Sequence, residues 1–389
     1  MKKLVLIIWL ALWSGVNIVA QVSLSKEEAI QLALARHPSV MAAREEVKAA
    51  EALEKTAFSL PNPVLFVESP TGEFYTPGIS QSLEFPTVYA GRSKALQAAT
   101  GVASARQNLS TNELILEVSL AHAEARYQHS RLQLFGRRDS LYEAMMNLAE
   151  RRFNEGEGDA LELSYAKLVY GRAHGDYVES STSYQNALHM LVHAFLDSTV
   201  YEVAAFGSDY HGSVSISMSP TSSLTMVAAA ETLLAEKEYR LQRQSWLPGI
   251  MLGYLNQGPR ETSPGMALQA GITLPLWWWQ YSGRIQAADA KREAAKLHAD
   301  DVMLDVHTAW QQHLAAYELA SQRLSYYSLE ALPTADNLAI QSTRFFEAGE
   351  TDLVTHLRNL NEALLVELEF VNAAYDVAVE EAYIEFLQH

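Results

Sequence analysis

The chain has 389 residues, 29 lysines and arginines against 46 aspartates and glutamates, a formal net charge of −17, and no cysteine. That balance is wrong for nucleic acid, whose phosphates demand a basic surface, and for a polybasic membrane-surface protein. Without cysteine there is no disulfide scaffold, zinc–thiolate site, thiol nucleophile or cysteine-linked lipid anchor.

Residues 1–20 have the make-up of an export signal: Lys2 and Lys3, the apolar run 4–13, then the small Ala20. The run is shorter than the ~20 apolar residues of a spanning helix. Its removal takes away two lysines and leaves an exported chain of net charge −19.

The first half, 21–196, opens on a helix and enters a β-hairpin at about 62–86. One strand covers 64–69. In the other, Ile79, Leu83 and Phe85 alternate with Ser80, Ser82 and Glu84, the period-two signature of a strand, with Gln81 breaking the apolar side. The turn falls at Pro70-Thr71-Gly72. No proline lies between Thr87 and Ser219. Since an internal proline costs a helix ~3 kcal/mol, such a tract is free to be helical. Leu114, Val118, Ala121, Ala125, then Leu141, Met145 and Leu148 mark one amphipathic face, so the spacing predicts a helix from Tyr89 to about Asn154. At 1.5 Å per residue it is about 100 Å long and has to pack beside others as a bundle or coiled coil. It ends at a turn near Gly156, after which Asp159 and Glu162 read as the capping box of a return helix. A Ser-, Gly- and Thr-rich linker covers 197–223.

The second half, 224–389, repeats this order. A helix leads to a hairpin at about 248–276, with strands near 250–257 and 266–274 and turn-prone residues over 258–265. Met266, Leu268, Ala270, Ile272 and Leu274 share one face; Ala267, Gln269, Gly271 and Thr273 share the other. A long helix follows, interrupted only by Pro333, then a turn near Gly349. A return helix carries Leu353, Leu357, Leu360, Leu364, Val371, Tyr375, Ala378 and Ala382 on one face. The landmarks match between halves: Leu60-Pro61 with Leu247-Pro248, Phe85-Pro86 with Leu274-Pro275, Gly91-Arg92 with Gly283-Arg284. Arg151, Phe153, Gly156, Glu157 and Asp159 likewise match Arg344, Phe346, Gly349, Glu350 and Asp352.

Four strands per chain cannot face lipid as an open sheet, because the edges leave backbone groups unpaired. Membrane insertion therefore demands that several chains share one closed barrel, and three chains supply 12 strands. On that reading Met266, Leu268, Ile272 and Leu274 face lipid. Trp277, Trp278, Trp279 and Tyr281, directly after the last strand, form an aromatic belt at the membrane–water interface. His189 and His193, four apart on a helix, could share a metal ion, but Met190 stands where zinc proteases carry glutamate and there is no third ligand. No phosphate-binding glycine loop or nucleophile elbow occurs, so neither an active site nor a cofactor is expected. Two other readings stay open: a soluble exported helical scaffold or adaptor, and an exported hydrolase.

The duplicated order and spacing resemble the TolC-like outer-membrane efflux family, over nearly the whole mature chain. The segment Ala33-Leu34-Ala35-Arg36-His37-Pro38-Ser39-Val40-Met41-Ala42-Ala43 looks like the family's opening pattern, with His37 in place of asparagine. Leu60-Pro61-Asn62-Pro63, Gly91-Arg92 and the paired Arg-x-Phe-x-x-Gly-Glu-x-Asp turns carry the rest. The nearest branch is heavy-metal and multidrug efflux. The resemblance implies a mainly α fold with β-hairpins. Long antiparallel helices would build a trimeric periplasmic tunnel, and four strands per chain a shared 12-stranded transmembrane barrel. It implies a passive, non-enzymatic conduit in the outer membrane, as a homotrimer in contact with lipid. Its partners would be a periplasmic adaptor (membrane fusion protein) and an inner-membrane pump of the RND type. By position, Arg151, Phe153, Gly156, Glu157, Asp159, Arg344, Phe346, Gly349, Glu350 and Asp352 become the adaptor-docking tips. Glu155, Glu157, Asp159, Glu347, Glu350 and Asp352 would form acidic rings at the mouth. After Asp352 the chain reads Leu-Val-Thr-His-Leu-Arg, which lacks the acidic gate ring often found there.

Overall fold

A computed structural model describes residues 22–69, 75–195, 201–212, 222–256 and 266–389. The expected leader, both hairpin turns (Pro70-Thr71-Gly72 and 258–265) and the linker stretches 197–200 and 213–221 lie outside the described residues. In chain order the elements are β1 (Val22–Ser23), α1 (Lys26–Arg36), α2 (Pro38–Glu54), β2 (Val64–Glu68) and β3 (Thr76–Leu83). Next come α3 (Pro86–Asn154), α4 (Ala160–His193), β4 (Tyr201–Glu202), α5 (Ser223–Gln244), β5 (Gly249–Asn256) and β6 (Met266–Thr273). The chain closes with α6 (Trp278–Tyr326), a π-helical turn (Tyr327–Ala331), α7 (Leu332–Glu347) and α8 (Leu353–Gln388).

The long proline-free tract is one helix of 69 residues, starting on Pro86, where a missing N–H costs nothing. Two helix breaks follow from proline. The opening helix of the first half is divided, because His37 precedes Pro38 and takes an extended conformation (ψ 130°) instead of continuing the helix. The second long helix passes through the π turn immediately before Pro333, which sits in the first turn of α7.

The chain forms two units. One comprises Met1–His37, Ile115–Val214 and Ala315–Ala382. Within it, Phe206, Ala320, Leu324, Phe370, Val371, Ala373, Ala374 and Val377 make one core cluster, and Tyr142, Ala149, Ala166, Ala173, Leu353 and Leu357 another. The expected linker is structured over 201–212. Its β4 pairs in parallel with β1, and the Phe206 N–H donates to Ser130 Oγ at 2.9 Å. Arg126 lies over the Phe206 and Tyr210 rings at 4.2 and 5.0 Å. Two-residue strands and an irregular segment around a buried phenylalanine leave no periodicity to read.

The other unit comprises Pro38–Leu114, Ser215–Leu314 and Tyr383–His389, and it holds the hairpins. They join into one antiparallel sheet of order β2-β3-β5-β6. Leu65 pairs with Ile79, Ile79 with Tyr254 and Tyr254 with Leu268. In this unit α5 packs on α3: a Cβ on Gly91 would lie 2.5 Å from Gln244 Oε1, and Arg106 pairs with Glu231 at 2.7 Å.

Candidate functional site: an apolar sheet face and two glycine turns

The pairing registers assign every strand residue to a face. One face carries Leu65 and Val67, then Ile79 and Leu83, then Ile250, Leu252 and Tyr254, then Leu268 and Ile272. Leu65 is 80% exposed and Leu268 81%; Val67, Ile79, Ile250, Leu252 and Ile272 are exposed too. An apolar surface across four strands is far more than a water-facing sheet normally shows. Gln81 interrupts it without leaving its amide unsatisfied: Nε2 donates to the Pro61 carbonyl at 2.6 Å and to the Ser82 carbonyl at 2.9 Å. On the opposite face, glycine makes room for larger neighbours. A Cβ on Gly78 would stand 2.5 Å from the Phe66 ring and 2.9 Å from Leu255, and one on Gly271 would stand 3.1 Å from Met251.

Of the expected lipid-facing residues, Leu268, Ile272 and Leu274 are exposed on the apolar side; the Met266 side chain lies outside the described ones. At the strand-to-helix junction Trp277 and Trp279 are exposed with ring centroids 5.4 Å apart, and the Trp278 side chain again lies outside the described ones. Tyr281 is partly buried and lines a crevice with Leu83, Thr273 and Leu274, so it packs at the junction instead of projecting from it. Sequence reading missed two exposed aromatics, Phe58 and Trp246. Their signal was available: each sits just ahead of a Leu-Pro pair that opens a hairpin.

At the other candidate site, both glycines adopt the left-handed conformation, with φ +80° at Gly156 and +74° at Gly349. The Glu157 N–H donates to the Arg152 carbonyl (2.8 Å) and the Gly156 N–H to that of Phe153 (3.1 Å). Glu350 and Gly349 do the same to Phe345 (2.9 Å) and Phe346 (3.0 Å). Both turns are thus Schellman motifs, which require an αL residue where the glycine stands. A Cβ at either position meets nothing within 4 Å, so the demand is conformational, not steric.

Asp159 accepts the Glu162 N–H at 2.7 Å, but Glu162 does not complete the expected capping box; its carboxylate takes Arg152 across the turn at 2.8 Å. Asp352 accepts the Thr355 N–H and hydroxyl at 2.9 and 2.8 Å, which holds its carboxyl below the usual range. Arg151, Gly156, Glu157, Asp159, Arg344, Gly349, Glu350 and Asp352 are exposed, as is Phe153. Glu155 and Glu347 are exposed beside them. Phe346 differs from its repeat partner. It is partly buried, stacked on His356 at 4.7 Å with an interplanar angle of 5°, and the exposed ring at the second turn is Phe345.

His356 is itself buried. Its Nδ1 lies 2.9 Å from Ser342 Oγ, which also accepts from Asn359 Nδ2 at 3.2 Å. Burial pushes the His356 pKa below the ordinary histidine value. His189 and His193 stay on the surface, and no cluster of three metal-ligating side chains occurs among the described residues. No described helix is long and apolar enough to cross a membrane.

Neither a protein-family model nor a curated sequence matches the chain. Solved structures do. The CmeC outer membrane channel of Campylobacter jejuni superposes with a TM-score of 0.77 at 13% identity, over 93% of this chain and 85% of that one. The outer membrane protein VceC of Vibrio cholerae superposes with 0.77 at 14%, over 93% and 96%. The MtrE outer membrane channel of Neisseria gonorrhoeae, in its open state, superposes with 0.77 at 16%, over 93% and 88%. The mainly α fold with β-hairpins that the TolC-like resemblance implies is the fold this chain has.

Proposed function

We propose that this chain is the outer-membrane channel subunit of a tripartite efflux system, a passive conduit energised elsewhere. The observation that carries the reading is the apolar sheet face: seven exposed aliphatic side chains, Leu65, Val67, Ile79, Ile250, Leu252, Leu268 and Ile272, in a chain with no described helix fit to span a bilayer. In hydrocarbon a sheet has to close on itself, and four strands are too few. Three copies close it with 12, an even number in the range of transmembrane barrels. The chain is then a homotrimer in the outer membrane with its helices in the periplasm. Trp277 and Trp279, joined by Phe58 and Trp246, lie at the boundary of that barrel. The exposed glycine turns, with Arg151, Phe153, Phe345 and the carboxylates around them, offer the docking surface for a periplasmic adaptor. Beyond it stands an inner-membrane pump of the RND type.

The test is conductance. The purified protein is expected to need detergent to leave membranes and to give discrete current steps in a planar lipid bilayer. Solubility in plain buffer with no conductance would overturn the reading in favour of a soluble exported scaffold.

A further inference from the structure

Resting on the shared-barrel reading, the internal repeat specifies how one copy meets the next. Inside a single chain, the first half hands over to the second through the β3–β5 ladder. Laying Leu60-Pro61 on Leu247-Pro248 puts Leu65 on Leu252 and Val67 on Tyr254. Since Leu65 pairs with Ile79 and Leu252 with Ala270, Ile79 and Ala270 are equivalent; so are Gln81 and Ile272, and Leu83 and Leu274. The registers thus move the sequence match by two residues: Leu83, not Phe85, corresponds to Leu274. The β3–β5 ladder pairs Ile79 with Tyr254 and Gln81 with Leu252. Translated to the open edges β6 and β2, it becomes Ala270 opposite Val67 and Ile272 opposite Leu65.

We propose that copies of this chain join in that register, β6 of one copy antiparallel to β2 of the next. All five residues of β2 then find partners within β6, from Val64 opposite Thr273 to Glu68 opposite Gln269. Apolar side chains meet apolar ones on the outer face. On the inner face the Phe66 ring falls between two glycines, Gly78 of its own chain and Gly271 of the neighbour, and the Gln269 amide is set to donate to the Glu68 carboxylate. Crossing the three observed ladders and this one returns the path to β2 displaced by about four residues, or about 13 Å, over a four-strand width of about 19 Å. That stagger tilts the strands by about 35°, within the range of closed barrels.

The helices show the same asymmetry. On α3 the seam Ala98, Val102, Ala105 is buried on a helix that packs against α5. Its counterpart on α6, Ala290, Ala294 and Leu297, is exposed. The element equivalent to α5 is α2, so α2 of the next copy covers the α6 seam as β2 covers β6.

The natural absence of cysteine makes the test direct. In one chain Val67 and Ala270 stand three strand spacings apart, about 14 Å, too far for a disulfide. The double variant Val67→Cys/Ala270→Cys, oxidised in membranes with copper phenanthroline, should run mostly as dimers and trimers on a denaturing gel and collapse to monomers on reduction. Leu65→Cys/Ile272→Cys should do the same. Leu65→Cys/Ala270→Cys, two residues out of register, should cross-link roughly tenfold less. Equal or stronger cross-linking by the displaced pair would overturn the register. If neither in-register pair cross-links while the same preparations conduct, copies meet along other edges, and the proposal fails with the channel reading intact. If the unmodified protein does not conduct, the channel reading itself fails.

Discussion

Gly156 and Gly349 hold φ values that cost an L-residue ~1–2 kcal/mol, and nothing surrounds either one. Gly156→Ala and Gly349→Ala should therefore each lower stability by about 1 kcal/mol in thermal unfolding, without disturbing core packing. A bulky residue acts on function instead. Gly156→Trp/Gly349→Trp is expected to impair efflux of a toxic compound while trimers still form; unaltered efflux would remove the docking role of the turns. His356 makes a pH-dependent contribution. Its folded pKa lies below the unfolded value of about 6.5, so the stability it contributes is complete above that value. It is lost as pH falls through the folded pKa, because burial disfavours the charged ring. The melting temperature should accordingly drop more steeply below about pH 6.5 in the parent than in His356→Phe. Equal slopes would contradict this.

At the scale of elements, the strands carry the sharpest expectation. Lysine at Ile272 or Leu268 places charge on the outer face and should hinder insertion by about 2–4 kcal/mol near the bilayer midplane. Thr273→Lys, on the opposite face, should insert normally. Equal tolerance on both faces, measured as folded protein recovered from membranes, would mean the faces are misassigned. The strands were legible because Leu268, Ala270 and Ile272 alternate with Gln269, Gly271 and Thr273, and the long helix because no proline interrupts it. The division of the opening helix at Pro38 and the π turn before Pro333 follow from proline chemistry, yet depend on how the neighbouring turn absorbs the lost hydrogen bond. The capping box at Asp159 failed for a different reason: Arg152, ten residues earlier in the chain, competes for Glu162.

For the whole molecule, charge sets the expectation. With 46 acidic against 27 basic residues in each exported copy, three copies lining one path should conduct cations in preference to anions. The preference should weaken as ionic strength rises and the Debye length shrinks. Reversal potentials measured across a salt gradient would decide it, and anion preference would count against acidic rings at the mouth. The long helix from Tyr89 to Asn154, the alternation of the strand faces and the duplicated order of motifs were legible in the sequence alone, because periodicity, proline and glycine act over a few residues through backbone sterics and burial. The tertiary structure alone decided that the hairpins merge through β3 and β5, that Phe345 and not Phe346 is the exposed ring, and that 201–212 packs beside Phe370 and Val377. Those outcomes turn on contacts between segments far apart in the chain, where several partners compete and only three-dimensional packing selects one.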